Sequence, residues 1–258
     1  MRLAFSKSSA ILSRQRIIPL IDHWLILVTA AFFASTVAAI AGTGGGIILL
    51  PVLVGVFGIR DAVPIYAVAQ LVGNLSRVAF NRPLIDYKVV VWFILGAIPF
   101  AVFGSWLFTR LPDTGLLKVL GIFLVGSVIL RRAHLSRRTR FHPRWFAPIG
   151  GVFSIVSAIV GSAGPFLAPF YLSYGLTKGA FIGTEALGTA IMHVAKLSTY
   201  QSLGAMNLSM WIAGILLGPI MVAGSFAGKK ILDRLPVQVF LIIVETAIVG
   251  FGIWFLIK

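Results

Sequence analysis

Hydrophobic positions come in long runs separated by short polar or glycine-rich breaks. They cover roughly residues 24–41, 44–57, 62–80, 88–110 and 115–131, and after a basic stretch 147–160, 165–175, 179–200, 208–228 and 237–257. A helix that crosses a bilayer needs ~20 largely apolar residues. The runs of 17 to 23 residues meet that length, and the pieces beside the glycine breaks are mostly too short. Short apolar pieces around a break fit broken helices or re-entrant hairpins, which a membrane protein tolerates where they line a polar cavity. The pattern predicts an all-α polytopic membrane protein of 8–10 helical segments and about eight spans.

The pattern occurs twice. Gly42-Thr43-Gly44-Gly45-Gly46 followed by Pro51 returns as Gly161-Ser162-Ala163-Gly164-Pro165 followed by Pro169. Gly96, Pro99 and Gly104-Ser105 are echoed by Gly218-Pro219 and Gly224-Ser225, and Leu111-Pro112 by Leu235-Pro236. This predicts two related transmembrane units, 24–131 and 147–258, each with a glycine-broken or re-entrant helix near its start. A basic N-terminal segment (1–23) precedes them and an Arg-rich linker (132–146) joins them. Pro64, Pro83, Pro112, Pro143 and Pro236 read as punctuation near helix ends; Pro99 and Pro219 fall inside spans, where a missing backbone donor kinks a helix. Gly96, Gly104, Gly121, Gly126, Gly218, Gly224 and Gly228 read as points of close helix packing.

Composition sharpens the membrane reading. The chain is 59% hydrophobic and 11% charged, too little polar surface to cover a water-soluble globule. Cysteine is absent, which excludes disulfides, thiolate metal sites and cysteine nucleophiles. The net charge of +15 is concentrated in residues 1–23 and in the linker, where Arg131, Arg132, Arg137, Arg138, Arg140 and Arg144 carry no acidic neighbour. Charge so placed reads as a topology signal that holds both segments in the cytoplasm, with no call for nucleic acid. The run from Trp24 to Ala41 reads as a retained helix and not a cleaved signal, since the second unit needs its equivalent. Counting each broken pair as one crossing makes the halves parallel and satisfies the charge rule; counting it as a hairpin or as two spans makes them inverted.

Ionisable residues inside spans are costly, and each is a candidate site residue. Gln70, Asn74 and Arg77 fall on one face of the run 62–80; Glu185, Thr189, His193 and Lys196 do the same in 179–200. Asn74 and His193, and likewise Arg77 and Lys196, lie 119 residues apart, so each half places a polar residue and then a cation at matching points. Two cations beside a shared axis would make an anion-attracting cavity; snorkelling of both to the headgroups is the alternative. The glycine breaks add backbone N–H groups and positive helix ends suited to an anion, and tight helix crossing is the plainer alternative. Candidate anion ligands are therefore Gly42, Thr43, Gly44, Gly45, Gly46, Gln70, Asn74, Arg77, Gly161, Ser162, Gly164, Thr189, His193 and Lys196; candidates for proton coupling are Glu185, His193 and Glu245. His193 is the only histidine well inside a run, which argues against a multi-histidine metal site, and no nucleophile–base set for catalysis is evident.

Gly42 to Gly46 with Pro51 and Gly58, repeated more loosely after the linker, resembles the sulfite exporter TauE/SafE family, also called the toluene-sulfonate uptake permease group. The resemblance covers roughly residues 24–257 and departs from the pattern at Ala163 and Pro165. It implies a multi-pass inner-membrane permease without a cofactor, built by duplication, that moves small sulfur-containing anions such as sulfite or organosulfonates. An anion channel and a membrane assembly protein are the competing readings.

Overall fold

The computed structural model describes residues 23–41, 45–132, 142–162, 164–176 and 178–231, together with Ile257. Nine α-helices and two 3₁₀ turns occur among these residues, and no strand. They are α1 (Trp24–Ala41), α2 (Gly45–Phe57), α3 (Ile59–Asn81), α4 (Tyr87–Arg110), α5 (Asp113–Arg132), α6 (Phe146–Val160), α7 (Gly164–Tyr174), α8 (Lys178–Ser202) and α9 (Leu208–Ile231). Residues 1–22, most of the Arg-rich linker, Gly42, Thr43, Gly44, Ala163 and the run 237–257, Glu245 included, lie outside the described residues, Ile257 aside.

Each expected run within the described residues is a helix, with ends within three residues of expectation. The ends have local causes. Asp86 begins α4 by accepting from the backbone N–H groups of Lys88 (3.0 Å) and Val89 (3.3 Å), and its own N–H donates to Thr184 Oγ1 at 2.9 Å. An aspartate at this position satisfies donors that a helix start leaves open. The other end of α4 is closed by Arg60, which donates to Asp113 Oδ1 (2.6 Å), the Phe108 carbonyl (2.8 Å) and the Leu111 carbonyl. After α6 the chain turns at Gly161 with φ of +83°, a conformation open mainly to glycine. Pro64 corrects one expectation: α3 begins at Ile59, so Pro64 sits inside the helix and not at its end. Its position early in the helix limits the damage to the loss of one backbone donor.

Among the described residues, three stretches are long and apolar enough to cross a membrane by length and composition: Tyr87–Arg110, Pro143–Val160 and Leu208–Lys230. Helices α3 and α8, with 23 and 25 residues, reach ~35–38 Å at 1.5 Å per residue. They fall short in hydropathy because both sit at the centre, where protein and not lipid surrounds their polar faces. There α3 packs against α8.

Two further sets of contacts are reciprocal. Helix α4 packs against α6, and α9 packs against α1; α4 also touches α8, and α9 touches α3. The packing glycines make these crossings. A side chain on Gly96 would run into the Ala147 carbonyl; one on Gly104 would sit 2.8 Å from Ile155 Cα. Across the bundle, Gly224 faces the Phe32 carbonyl and Gly228 lies where a Cβ would be 2.6 Å from the Thr36 carbonyl. Thr36 Oγ1 also donates to the Gly224 carbonyl at 3.1 Å, tying α1 into the fold. Gly126 has only ordinary contact with Phe166, so its close-packing role is not seen.

These contacts set opposite outcomes for one substitution. Alanine is the better helix former by ~1 kcal/mol, so Gly55→Ala, where nothing lies within 4 Å, should leave thermal stability in detergent unchanged or raised. Gly96→Ala should lower it by about 1–3 kcal/mol, because the added methyl meets backbone that cannot move aside.

Candidate functional site

Helix periodicity builds the site from α3 and α8. Tyr66, Gln70, Asn74 and Arg77 recur at steps of four, four and three along α3, and all four are buried. Glu185, Thr189 and His193 recur at steps of four along α8 and are buried as well. Because the two helices pack face to face, the stripes meet. Asn74 Nδ2 donates to Thr189 Oγ1 at 3.0 Å, and Thr189 Oγ1 donates back to the Glu185 carbonyl at 2.8 Å. Arg77 donates through Nη2 to Asn74 Oδ1, and its Nη1 lies 3.8 Å from Glu185 Oε2.

The two helix breaks complete the enclosure. Gly45 and Gly46 begin α2, Gly161 and Ser162 follow α6, and Gly164 begins α7; all five line the same cavity as the α3 and α8 stripes. The breaks approach so closely that a Cβ on Gly46 would collide with Ser162 Oγ and the Tyr66 hydroxyl. The cavity is small, about 30 Å³ in volume, and its lining is mostly polar, with Ala38, Leu167 and Met192 as apolar exceptions.

The structure therefore brings together Gly45, Gly46, Gln70, Asn74, Arg77, Gly161, Ser162, Gly164, Glu185, Thr189 and His193 from the sequence-derived set. Gly42, Thr43, Gly44 and Glu245 lie outside the described residues. Lys196 is different: it does not line the cavity. Its Nζ donates to the Ser157 carbonyl (2.8 Å), Ser157 Oγ (3.0 Å) and the Gly161 carbonyl (3.3 Å). One turn along α8, the Tyr200 hydroxyl donates to the Ala158 carbonyl. Together they close the end of α6, whose last carbonyls have no partner within the helix, and the ammonium answers the negative end of the helix dipole. Snorkelling is not seen for either cation: Arg77 is 6% exposed and Lys196 0%.

Two cavity groups are poorly satisfied. Glu185 Oε2 and His193 Nδ1 are buried with no hydrogen-bond partner among the described residues. Buried polar atoms are normally bonded, so this lining leaves two polar atoms able to bond a solute or water. The ends of two helices, α2 at Gly45 and α7 at Gly164, open on the same space and add positive potential. Residue-level reading missed Tyr66 and Ser157. Tyr66 precedes Gln70 by four residues on the α3 face, a spacing that extends the polar stripe, and its ring makes an edge contact with His193 at 6.5 Å between centroids. Ser157 carried no comparable signal, since its role depends on Lys196 arriving from a distant helix.

The role seen for Lys196 has a measurable consequence. Lys196→Met should cost about 3 kcal/mol of stability, seen as earlier thermal unfolding of the purified protein, because buried carbonyls each lose ~1–3 kcal/mol when a partner is removed. A Lys196→Met protein as stable as the parent would contradict the capping role.

The sequence model of the family described as sulfite exporter TauE/SafE matches residues 27–255, nearly the whole chain. No curated protein and no solved structure matches. The family match places the chain in the sulfite exporter TauE/SafE family, and with it among multi-pass membrane transporters.

Proposed function

We propose that this member of the sulfite exporter TauE/SafE family is a secondary transporter that carries a small sulfur-containing anion, sulfite or an organosulfonate, through the cavity between α3 and α8. The observation that carries the reading is the buried guanidinium of Arg77 in a polar cavity onto which the N-terminal ends of α2 and α7 open. A guanidinium pairs with oxyanions through several directed donors. Helix starts supply backbone N–H groups and a partial positive charge. Gly46 allows the two breaks to close on a ligand of few atoms, and the hydroxyls of Ser162 and Tyr66 supply neutral donors around it.

The transport cycle follows from the same elements. Reciprocal packing of α4 on α6 and α9 on α1 supports two related halves, 24–131 and 147–258. A site at the junction of two such halves can be exposed first to one side and then to the other as one half rocks against its mate. Glu185 and His193 are the cavity groups able to exchange a proton during that cycle. The basic segments at the N-terminus and in the linker orient the chain with both in the cytoplasm of a bacterial-type inner membrane.

Uptake of labelled sulfite into proteoliposomes tests the reading. Arg77→Gln and Gly46→Val should each reduce saturable uptake by roughly 10–100-fold, the first by loss of a charge-assisted hydrogen bond worth about 1.5–3 kcal/mol, the second by filling the space between Gly46 and Ser162. Trans-stimulation by unlabelled sulfite inside the vesicles should be present; uptake without it, at rates above those of a carrier, would mark a channel. Wild-type rates in both variants would remove the cavity from the pathway.

A further inference from the structure

We infer that Glu185 is an internal stand-in for the transported anion: its carboxylate faces Arg77 in the empty cavity and must be neutralised by a proton when the substrate anion takes that place. The inference rests on the reading that the cavity binds the anion. It begins from an incomplete pair. Glu185 Oε2 lies 3.8 Å from Arg77 Nη1, beyond hydrogen-bond length, and has no hydrogen bond among the described residues. A buried ion pair made to hold the fold would be closed by direct bonds, since attraction alone does not offset desolvation of both ions. Asn74, which does bond to Arg77, is itself fixed by Thr189. The guanidinium is thus held in place, while the carboxylate opposite is held only by charge.

The surroundings of Glu185 explain why a proton is the partner of exchange. From α3 it lies opposite Arg77 and within electrostatic reach of Tyr66, and from α7 within reach of Tyr171, whose hydroxyl is also buried without a hydrogen-bond partner among the described residues. On its own helix, His193 lies two turns on and Lys196 beyond it, the latter bonded to α6. From α6 the cavity receives Ser157 and from α2 only glycines, none of them ionisable. At the start of α4, Asp86 is committed to capping that helix. Arg77 is the cavity-lining cation available to both anions. A second anion brought to it would repel an ionised Glu185 across a few ångströms of low-dielectric interior. Protonation removes that repulsion: the carboxylate takes one proton from the aqueous side that is open, becomes a neutral acid with a donor of its own, and turns from competitor into a possible ligand. When the anion leaves, the proton follows and the carboxylate regains Arg77. One anion and one proton then move together, and an anionic oxygen faces Arg77 at each stage.

Calorimetric titration of the purified full-length protein with sodium sulfite tests this. The ionisation of sulfite itself is common to all variants and cancels in the differences. Wild-type affinity should fall as pH rises, because at high pH Glu185 is ionised and competes. Glu185→Gln should bind sulfite about tenfold more tightly at alkaline pH, converge with wild type at acid pH, and take up about one proton fewer per anion in buffers of different ionisation enthalpy. If Glu185→Gln does not remain folded, Glu185→Asp gives the second reading: a carboxylate one methylene further from Arg77 should bind sulfite more tightly than wild type and keep the pH dependence. Affinity and proton uptake unchanged in these variants would overturn the stand-in role, with Arg77→Gln and Gly46→Val still abolishing binding. If those two variants bind sulfite normally, the site assignment itself fails, and this inference with it.

Discussion

A helix that stops inside a membrane protein leaves backbone groups that lipid cannot satisfy, and this constraint organises the molecule. Each unpaired group at such depth costs several kcal/mol. The carbonyl end of α6 is answered from within the chain, by Lys196 and Tyr200 reaching across from α8. The amide ends of α2 and α7 instead open on a cavity. Negative helix ends are thus closed by a resident cation, and positive ends face the space where a solute can sit. The same geometry that satisfies the end of α6 leaves beside it a cavity at two positive helix ends, the place proposed for the anion.

Glycine is what lets these ends come together. Helices without a hydrophobic drive to associate depend on close backbone contact. Gly96 and Gly104 bring α4 onto α6, while Gly224 and Gly228 bring α9 onto α1. Those two contacts clamp the broken helices from either side, so the crossing of α3 with α8 is held between them. Gly46 serves a different end. It permits a close approach not to another backbone but to Ser162 and Tyr66 at the edge of the cavity. Packing glycines and a site glycine look alike in the sequence, and the neighbour each would strike distinguishes them.

Much of this was legible in the residues because it is periodic. Apolar runs gave the helices, and steps of three and four put Gln70, Asn74 and Arg77 on one face of α3 and Glu185, Thr189 and His193 on one face of α8. Tyr66 continues that step and was overlooked because an aromatic on a membrane helix reads first as packing. Counting spans by hydropathy undervalues α3 and α8, since the helices most deeply inside the protein are the ones that carry its polar groups. The partner of Lys196 was not legible at all. It is a set of backbone carbonyls, which every residue possesses, so no side-chain pattern in α6 could announce it.

Lys196 also shows how matched positions come to differ. Arg77 and Lys196 stand 119 residues apart, each three positions after a polar residue on its helix, yet one reaches the cavity and the other closes a helix. The side chains suit the division. An ammonium is a compact point charge with three donors, fit for a cluster of carbonyls from one helix end; a planar guanidinium has more donors in a fixed fork and can hold Asn74 while facing a carboxylate. A binding site centred on a two-fold axis would demand the same group from both halves. Among the described residues, Arg77 is the one arginine and Glu185 the one carboxylate lining the cavity, so on the proposed reading an incoming anion shifts the charge balance there. On the proposed reading, a response to protons follows from this asymmetry, since neutralising Glu185 removes the charge that competes with an incoming anion for Arg77.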